Sequence, residues 1–255
     1  RGLGDVYKRQ SQNLAEAFDM ATGEPFDWND ESMRSRMFVA SARDPRFART
    51  LIYNGATFKG QPVQSYVGGR NGRPLDGATP TSYYLRKHIV EATSFVTGSE
   101  MSYQHIFPFF RYAEVLLNYA EALAAATQNP DFTGMKGEVE YTLSPREALN
   151  AVRARYNMPG ITETDYAAFV KRLRNERRVE LAFEGHRFWD IRRWKIGAET
   201  TKVYGLTITP QNDGSFSYMR SVIQQRGWED RMNFYPIADA ELFKNHNLVQ
   251  NDGWK

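Results

Sequence analysis

Between residues 110 and 196 the apolar side chains recur at helical spacing, and the pattern is cut by helix stops. Val115, Leu116, Tyr119, Ala122 and Leu123 share that spacing in a run rich in Ala, Leu and Glu. This predicts a helix over 110–127, stopped by Asn129-Pro130. Ser144-Pro145-Arg146-Glu147 is a capping box with Pro at the first helical position, where its missing N–H costs nothing. A second helix then runs to Tyr156 and ends at Pro159-Gly160. Thr164 or Asp165 can cap a third, with Tyr166, Phe169, Leu173, Val179 and Phe183 on its apolar side and Gly185 suited to its C-terminal cap. A fourth, short helix covers 187–195. Two αα-hairpins in succession are the grammar of a helical solenoid, although a stack needs more pairs to stand alone. The expected fold is therefore mainly α: tetratricopeptide-like helix pairs decorated with long loops and short strands, an incomplete α-solenoid.

The flanks read differently. Residues 11–109 lack helical periodicity and are punctuated by Gly23-Glu24-Pro25, Asn54-Gly55, Gly68-Gly69, Asn71-Gly72 and Asp76-Gly77. Short aromatic or β-branched runs at 50–53 and 83–85 are strand candidates. Residues 197–255 return to loop, with Gly205, Pro210 and Asn212-Asp213-Gly214, and a helical turn near 238–244. Residues 1–10, RGLGDVYKRQ, have no periodicity. Their DVYKRQ portion resembles the translation of a transposon end used in preparing sequencing libraries, so 1–10 is expected to be a non-native scar. On that reading the N-terminal half of the protein lies outside this sequence.

Composition removes several function classes. A net charge of +3 is too even for a dedicated nucleic-acid binder. Cysteine is absent, which excludes disulfides, thiolate-bound zinc and thiol nucleophiles. Phe 16, Tyr 14 and Trp 5 make a heavy aromatic load for a mean hydropathy of −0.61, so many rings sit in polar surroundings. Gly55-Ala56-Thr57-Phe58-Lys59-Gly60 has P-loop glycine spacing but continues Gln61-Pro62, without the phosphate-binding Lys or the magnesium-binding hydroxyl. The four histidines, His88, His105, His186 and His246, show no metal-ligand spacing.

Carboxylates cluster in two places. Glu114 and Glu121 share a helix face, and Glu176, Glu180 and Glu184 form an i, i+4, i+8 stripe. Two carboxylates across one bond could hydrolyse a glycoside. Arg172, Arg177, Arg178 and Arg187 lie beside the stripe, however, and arginine partners keep carboxylates ionised. A structural ion network outweighs a catalytic pair. Residues 171–195 also carry an excess of basic side chains interleaved with Phe188, Trp189 and Trp194. The even overall charge favours an arginine-rich helix pair over a nucleic-acid surface.

The stretch 174–194, RNERRVELAFEGHRFWDIRRW, resembles the signature of the SusD/RagB-like lipoproteins. Arg111-Tyr112-Ala113-Glu114-Val115-Leu116-Leu117-Asn118-Tyr119-Ala120-Glu121-Ala122 is similar to the helix that precedes it in that family. Asn13-Leu14 with Phe18-Asp19-Met20, Arg43-Asp44-Pro45-Arg46-Phe47 and Tyr53-Asn54-Gly55 resemble its loop region. Tyr235-Pro236-Ile237 and Gln250-Asn251-Asp252-Gly253-Trp254 resemble its ending. The match spans 11–255 as the family's C-terminal half, divided into a loop-rich part 11–109, a helical part 110–196 and a loop-rich tail 197–255.

The resemblance implies a lipid-anchored protein on the extracellular face of a Gram-negative outer membrane, with an N-terminal anchor that this sequence does not contain. Its partner would be a SusC-like TonB-dependent transporter. Its work would be to capture glycans, or in some members oligopeptides, for import. The family binds and does not catalyse, and no cofactor is implied. A carbohydrate-active enzyme and an intracellular helical-repeat scaffold are the competing readings. Sugar rings offer apolar C–H faces, so a glycan site wants loop aromatics beside amides and charged hydrogen-bonders. Trp28, Tyr66 and Tyr83, with Asn29 and Arg70, are the candidate ligand-binding residues. Tyr53 and Phe58 lean toward packing, and Trp189 and Trp194 are assigned to the core.

Overall fold

A computed structural model of the chain describes residues 10–94, 96–104 and 106–254. All but the last residue of the proposed scar, and His105, lie outside the described residues. The helices are α1 (Gln12–Ala15), α2 (Glu31–Ser35), α3 (Pro45–Thr50), α4 (Tyr112–Thr127), α5 (Pro145–Ala154), α6 (Tyr166–Glu180), α7 (His186–Arg193) and α8 (Asp239–Lys244). The strands form antiparallel pairs: β1 (Leu51–Ile52) with β4 (Tyr84–Leu85), β2 (Thr57–Phe58) with β3 (Gln61–Pro62), β5 (Gly134–Lys136) with β6 (Val139–Tyr141), and β7 (Lys202–Pro210) with β8 (Phe216–Gln225). The fold is mainly α, as the helical periodicity dictates.

The helices start where their caps place them. Ser144 Oγ accepts from the Glu147 N–H at 3.2 Å, and the Glu147 carboxylate accepts from the Ser144 N–H at 2.8 Å, so the capping box of α5 is complete. Asp165 caps α6 by accepting from the Ala168 N–H at 2.8 Å. The apolar stripe of α4 is rotated from the expected one. Ala113, Leu116, Leu117, Ala120, Leu123 and Ala124 are buried, while Val115 is 54% exposed. The end of α6 also differs. It stops at Glu180, because Leu181 and Ala182 turn inward and are buried. Gly185, at φ +87°, starts α7 instead of ending α6.

Two cores form. In the helical one, α4 packs on α5 and α6 through Leu117, Ala120, Leu149, Val152, Phe169 and Leu173. The second lies under the loops and contains Phe18, Phe47, Leu51, Ile52, Tyr53, Tyr83, Leu206 and Ile208. Val179 at the end of α6 belongs to this second core, so α6 serves both. Loop segments hold their backbone in place through buried polar groups. Arg43 donates to the carbonyls of Ala15 at 2.7 Å, Phe18 at 2.9 Å and Met37 at 3.0 Å, with the Phe26 and Phe47 rings each 4.5 Å away.

The tail departs most from the sequence reading. Residues 202–225 are a twisted β-hairpin, not loop, with a bulge between Val203 and Tyr204. Leu206 and Ile208 are buried on either side of half-buried Thr207 and close the second core.

Candidate functional site

The carboxylate stripe of α6 is a brace. Arg46 of α3 is buried and contacts Asp44 at 2.7 Å, Glu180 at 3.0 Å and also Glu176. Arg153 of α5 joins Glu176 at 2.8 Å to Asp19 at 3.0 Å, and Arg172 meets Asp19 at 2.8 Å. At the other end Arg111 bridges Glu180 at 2.8 Å and Glu184 at 2.7 Å, and Lys87 meets Glu184 at 2.6 Å. The chain of charges ties the loop layer to α5 and α6. Burial opposes the charge on Arg46, yet Glu176 and Asp44 hold it above its ordinary range. Burial raises Glu184, but hydrogen bonds from Arg111 and Lys87 outweigh it and hold the carboxyl below its usual value. A general acid needs the opposite shift, and every carboxylate of the stripe already faces a cation. Glu121 is likewise taken, by Arg193 and by the Trp194 indole N–H at 2.7 Å. Among the described residues no group of His, Asp or Glu is placed to hold a metal ion.

The loops that carry the predicted ligand residues are held by contacts of their own. The 61–73 loop is pinned by the Val67 N–H donating to the Ile208 carbonyl at 2.9 Å, and by the Gly68 N–H donating to the Arg73 carbonyl at 2.7 Å. Asn71 accepts from the Gln64 N–H at 3.0 Å. A Cβ on Gly72 would lie 1.9 Å from the Tyr66 carbonyl oxygen, so this turn closes only with glycine. On this loop Tyr66 is half-buried, its ring 5.2 Å from Phe216 at the start of β8. Arg70 is exposed, its guanidinium bonded to the Pro62 carbonyl and 3.5 Å from Gln61 Oε1. Trp28 is half-buried against the second core, with the Arg34 guanidinium 6.0 Å from its ring. Asn29 is exposed, its N–H donating to Asp27 Oδ1 at 2.8 Å. Tyr66 and Arg70 thus share one loop and Trp28 and Asn29 another. Among the described residues no hydrogen bond or ring contact joins the two.

Tyr83 does not belong to this surface. It is 1% exposed, its hydroxyl donates to Gln12 Oε1 at 2.7 Å, and burial pushes its phenol up. Its ring packs edge-on to Phe38 and offers no face to a ligand. Tyr84 beside it is buried too, so both aromatics of 83–85 serve packing. Trp189 corrects the reading in the other direction. It is 60% exposed beside Phe188 and Tyr235, while Trp194 is half-buried between Arg174 and Arg193. Phe216 escaped the sequence reading although Asn212-Asp213-Gly214 between alternating runs signals a hairpin.

The sequence profile of the SusD family matches residues 5–254. SusD-like protein P2 of Formosa agariphila is 33% identical over 146 residues, which cover 56% of this chain and 24% of that protein. The solved structure of a SusD-like protein from Bacteroides fragilis aligns with TM-score 0.75 at 27% identity, over 96% of this chain and 47% of that one. A second from the same organism, described as a SusD-like carbohydrate binding protein, aligns with TM-score 0.69 at 30% identity, over 94% and 48%. The chain thus spans about a quarter of the first relative and just under half of each solved structure. With the match running through the loop layer, the brace and the tail alike, the chain belongs to the SusD family.

Proposed function

We propose that the chain is the glycan-capturing part of a surface lipoprotein that hands oligosaccharides to a SusC-like TonB-dependent transporter in the outer membrane. It binds and does not catalyse. The observation that carries this reading is the likeness, over 94% of the chain at 30% identity, to a SusD-like carbohydrate binding protein. The site supports it. Trp28 and Tyr66 are half-buried rings anchored on one side, and Asn29 and Arg70 stand exposed beside them. A ring held at its edge stacks on a sugar face with little loss of side-chain freedom. Affinity electrophoresis of the chain through gels carrying neutral or acidic polysaccharides tests it. Retardation in at least one gel is expected, and free migration in all of them contradicts it. For the partner, the tagged parent protein extracted from outer membranes should bring down a TonB-dependent transporter.

A further inference from the structure

Arg178 of α6 and Arg187 of α7 differ from the other arginines packed between the elements. Arg46, Arg153, Arg172 and Arg177 each meet a carboxylate, and Arg43 meets three carbonyls. Among the described residues Arg178 and Arg187 meet neither. The acids around them are engaged or stand off. Glu16 pairs with Arg220 at 2.8 Å, and Asp190 is held by Arg177 and Arg193. Glu199 makes no ion pair with either.

Both arginines line a cavity of about 550 Å³, and both also border a neighbouring one that holds Glu16, Asp19 and Glu163. The first lies within the range of about 300–1,000 Å³ usual for small-molecule sites. Lys202 and Arg226 line it as well, Glu199 is the one carboxylate among its described lining residues, and Phe188 gives the wall apolar surface. Burial, with the like charge of Arg187 beside it, pulls Arg178 down to about 10, and burial lowers Arg187 too. Both side chains keep partial access to solvent, so an anion entering the cavity can reach two guanidinium groups that no carboxylate among the described residues engages. Guanidinium forks match a planar carboxylate with paired hydrogen bonds.

We propose that this cavity binds the carboxylate of a uronic acid, with Arg178 and Arg187 as its cationic clamp. The inference rests on the glycan-capture reading and narrows its ligand to acidic sugars at this second position, away from Trp28 and Tyr66.

Calorimetric titration of the chain with glucuronate and galacturonate disaccharides, against their neutral counterparts at neutral pH and low salt, tests it. The acidic sugars are expected to bind about tenfold or more tightly than the neutral ones. Arg187→Gln should remove that preference, and Glu199→Gln should strengthen binding by removing a repelling charge. Absence of binding, equal binding of neutral sugars, or an indifferent Arg187→Gln overturns the proposal. A structural role is checked separately. Arg178→Met without ligand should melt at the same temperature or higher, because no partner is lost, and a fall of several degrees overturns the clamp. Retention of a neutral polysaccharide through Trp28 and Tyr66 would survive all of these failures, so the general reading and this one fail independently.

Discussion

At the scale of single residues, the clearest consequence concerns charge. Glu176 is buried between Arg46 and Arg153. Glu176→Gln removes one charged partner from each of two buried guanidiniums, which keep Asp44, Glu180 and Asp19, a loss of about 1.5–3 kcal/mol. Urea unfolding measures it, and a loss under ~1 kcal/mol would show the brace to be decorative. Tyr83→Phe separates support from contact. It strands Gln12 Oε1 in the core, so stability should fall by about 1 kcal/mol, with glycan retention unchanged. A chain that melts as before but loses retention would return Tyr83 to the binding surface. Which residues would be buried was only partly legible here. Arginines near Glu176, Glu180 and Glu184 announced an ion network. Nothing local distinguished Tyr83, which faces inward, from Tyr66, which lies half out, because the difference is set by which strand or loop packs beneath each ring.

Among the elements, caps and periodicity located the four long helices closely, since those signals are local. The errors sit where tertiary contacts decide. Leu181 and Ala182 turn α6 off early by entering the core, and the β7–β8 hairpin survives because Leu206 and Ile208 roof the second core. Its alternation was present in the sequence but was masked by Gly205 and Pro210. The 61–73 loop owes its shape to Gly72 against the Tyr66 carbonyl. Gly72→Ala should therefore loosen the loop, and amide exchange at Val67 and Gly68, whose N–H groups it pins, should accelerate while that of α4 stays slow. Equal protection in both proteins would show that the loop tolerates a Cβ.

For the whole molecule, two properties follow. Burial lifts Glu184 and Glu121, but their arginine, lysine and indole partners prevail and hold both below the ordinary 4.5. Groups lowered in this way stabilise the fold above that value and lose the contribution as pH falls through their folded range. Asp19, raised by burial despite Arg172 and Arg153, acts in the opposite sense above 3.8 and is a single group against several. The melting temperature should therefore fall on acidification below about 4.5, and Glu184→Gln should flatten that decline. A melting temperature constant down to the most acidic sample contradicts the assignment. The second property is association. Ile106, Phe109, Phe110, Tyr112 and Phe243 are each more than 70% exposed, and the chain spans under half of its solved relatives. Isolated in water, it is expected to self-associate, and a monodisperse monomer in sedimentation would contradict this. The central claim is that the loop layer holds the ligand while the helices and their ion brace hold the loops. Titration of the best-retained polysaccharide into the chain and into Trp28→Ala and Tyr66→Ala tests it most directly. The account predicts that each substitution weakens binding about tenfold, while the chain still unfolds cooperatively with only the modest loss in melting temperature that truncating a half-buried ring brings. Undiminished binding in both variants would place the ligand elsewhere on the molecule.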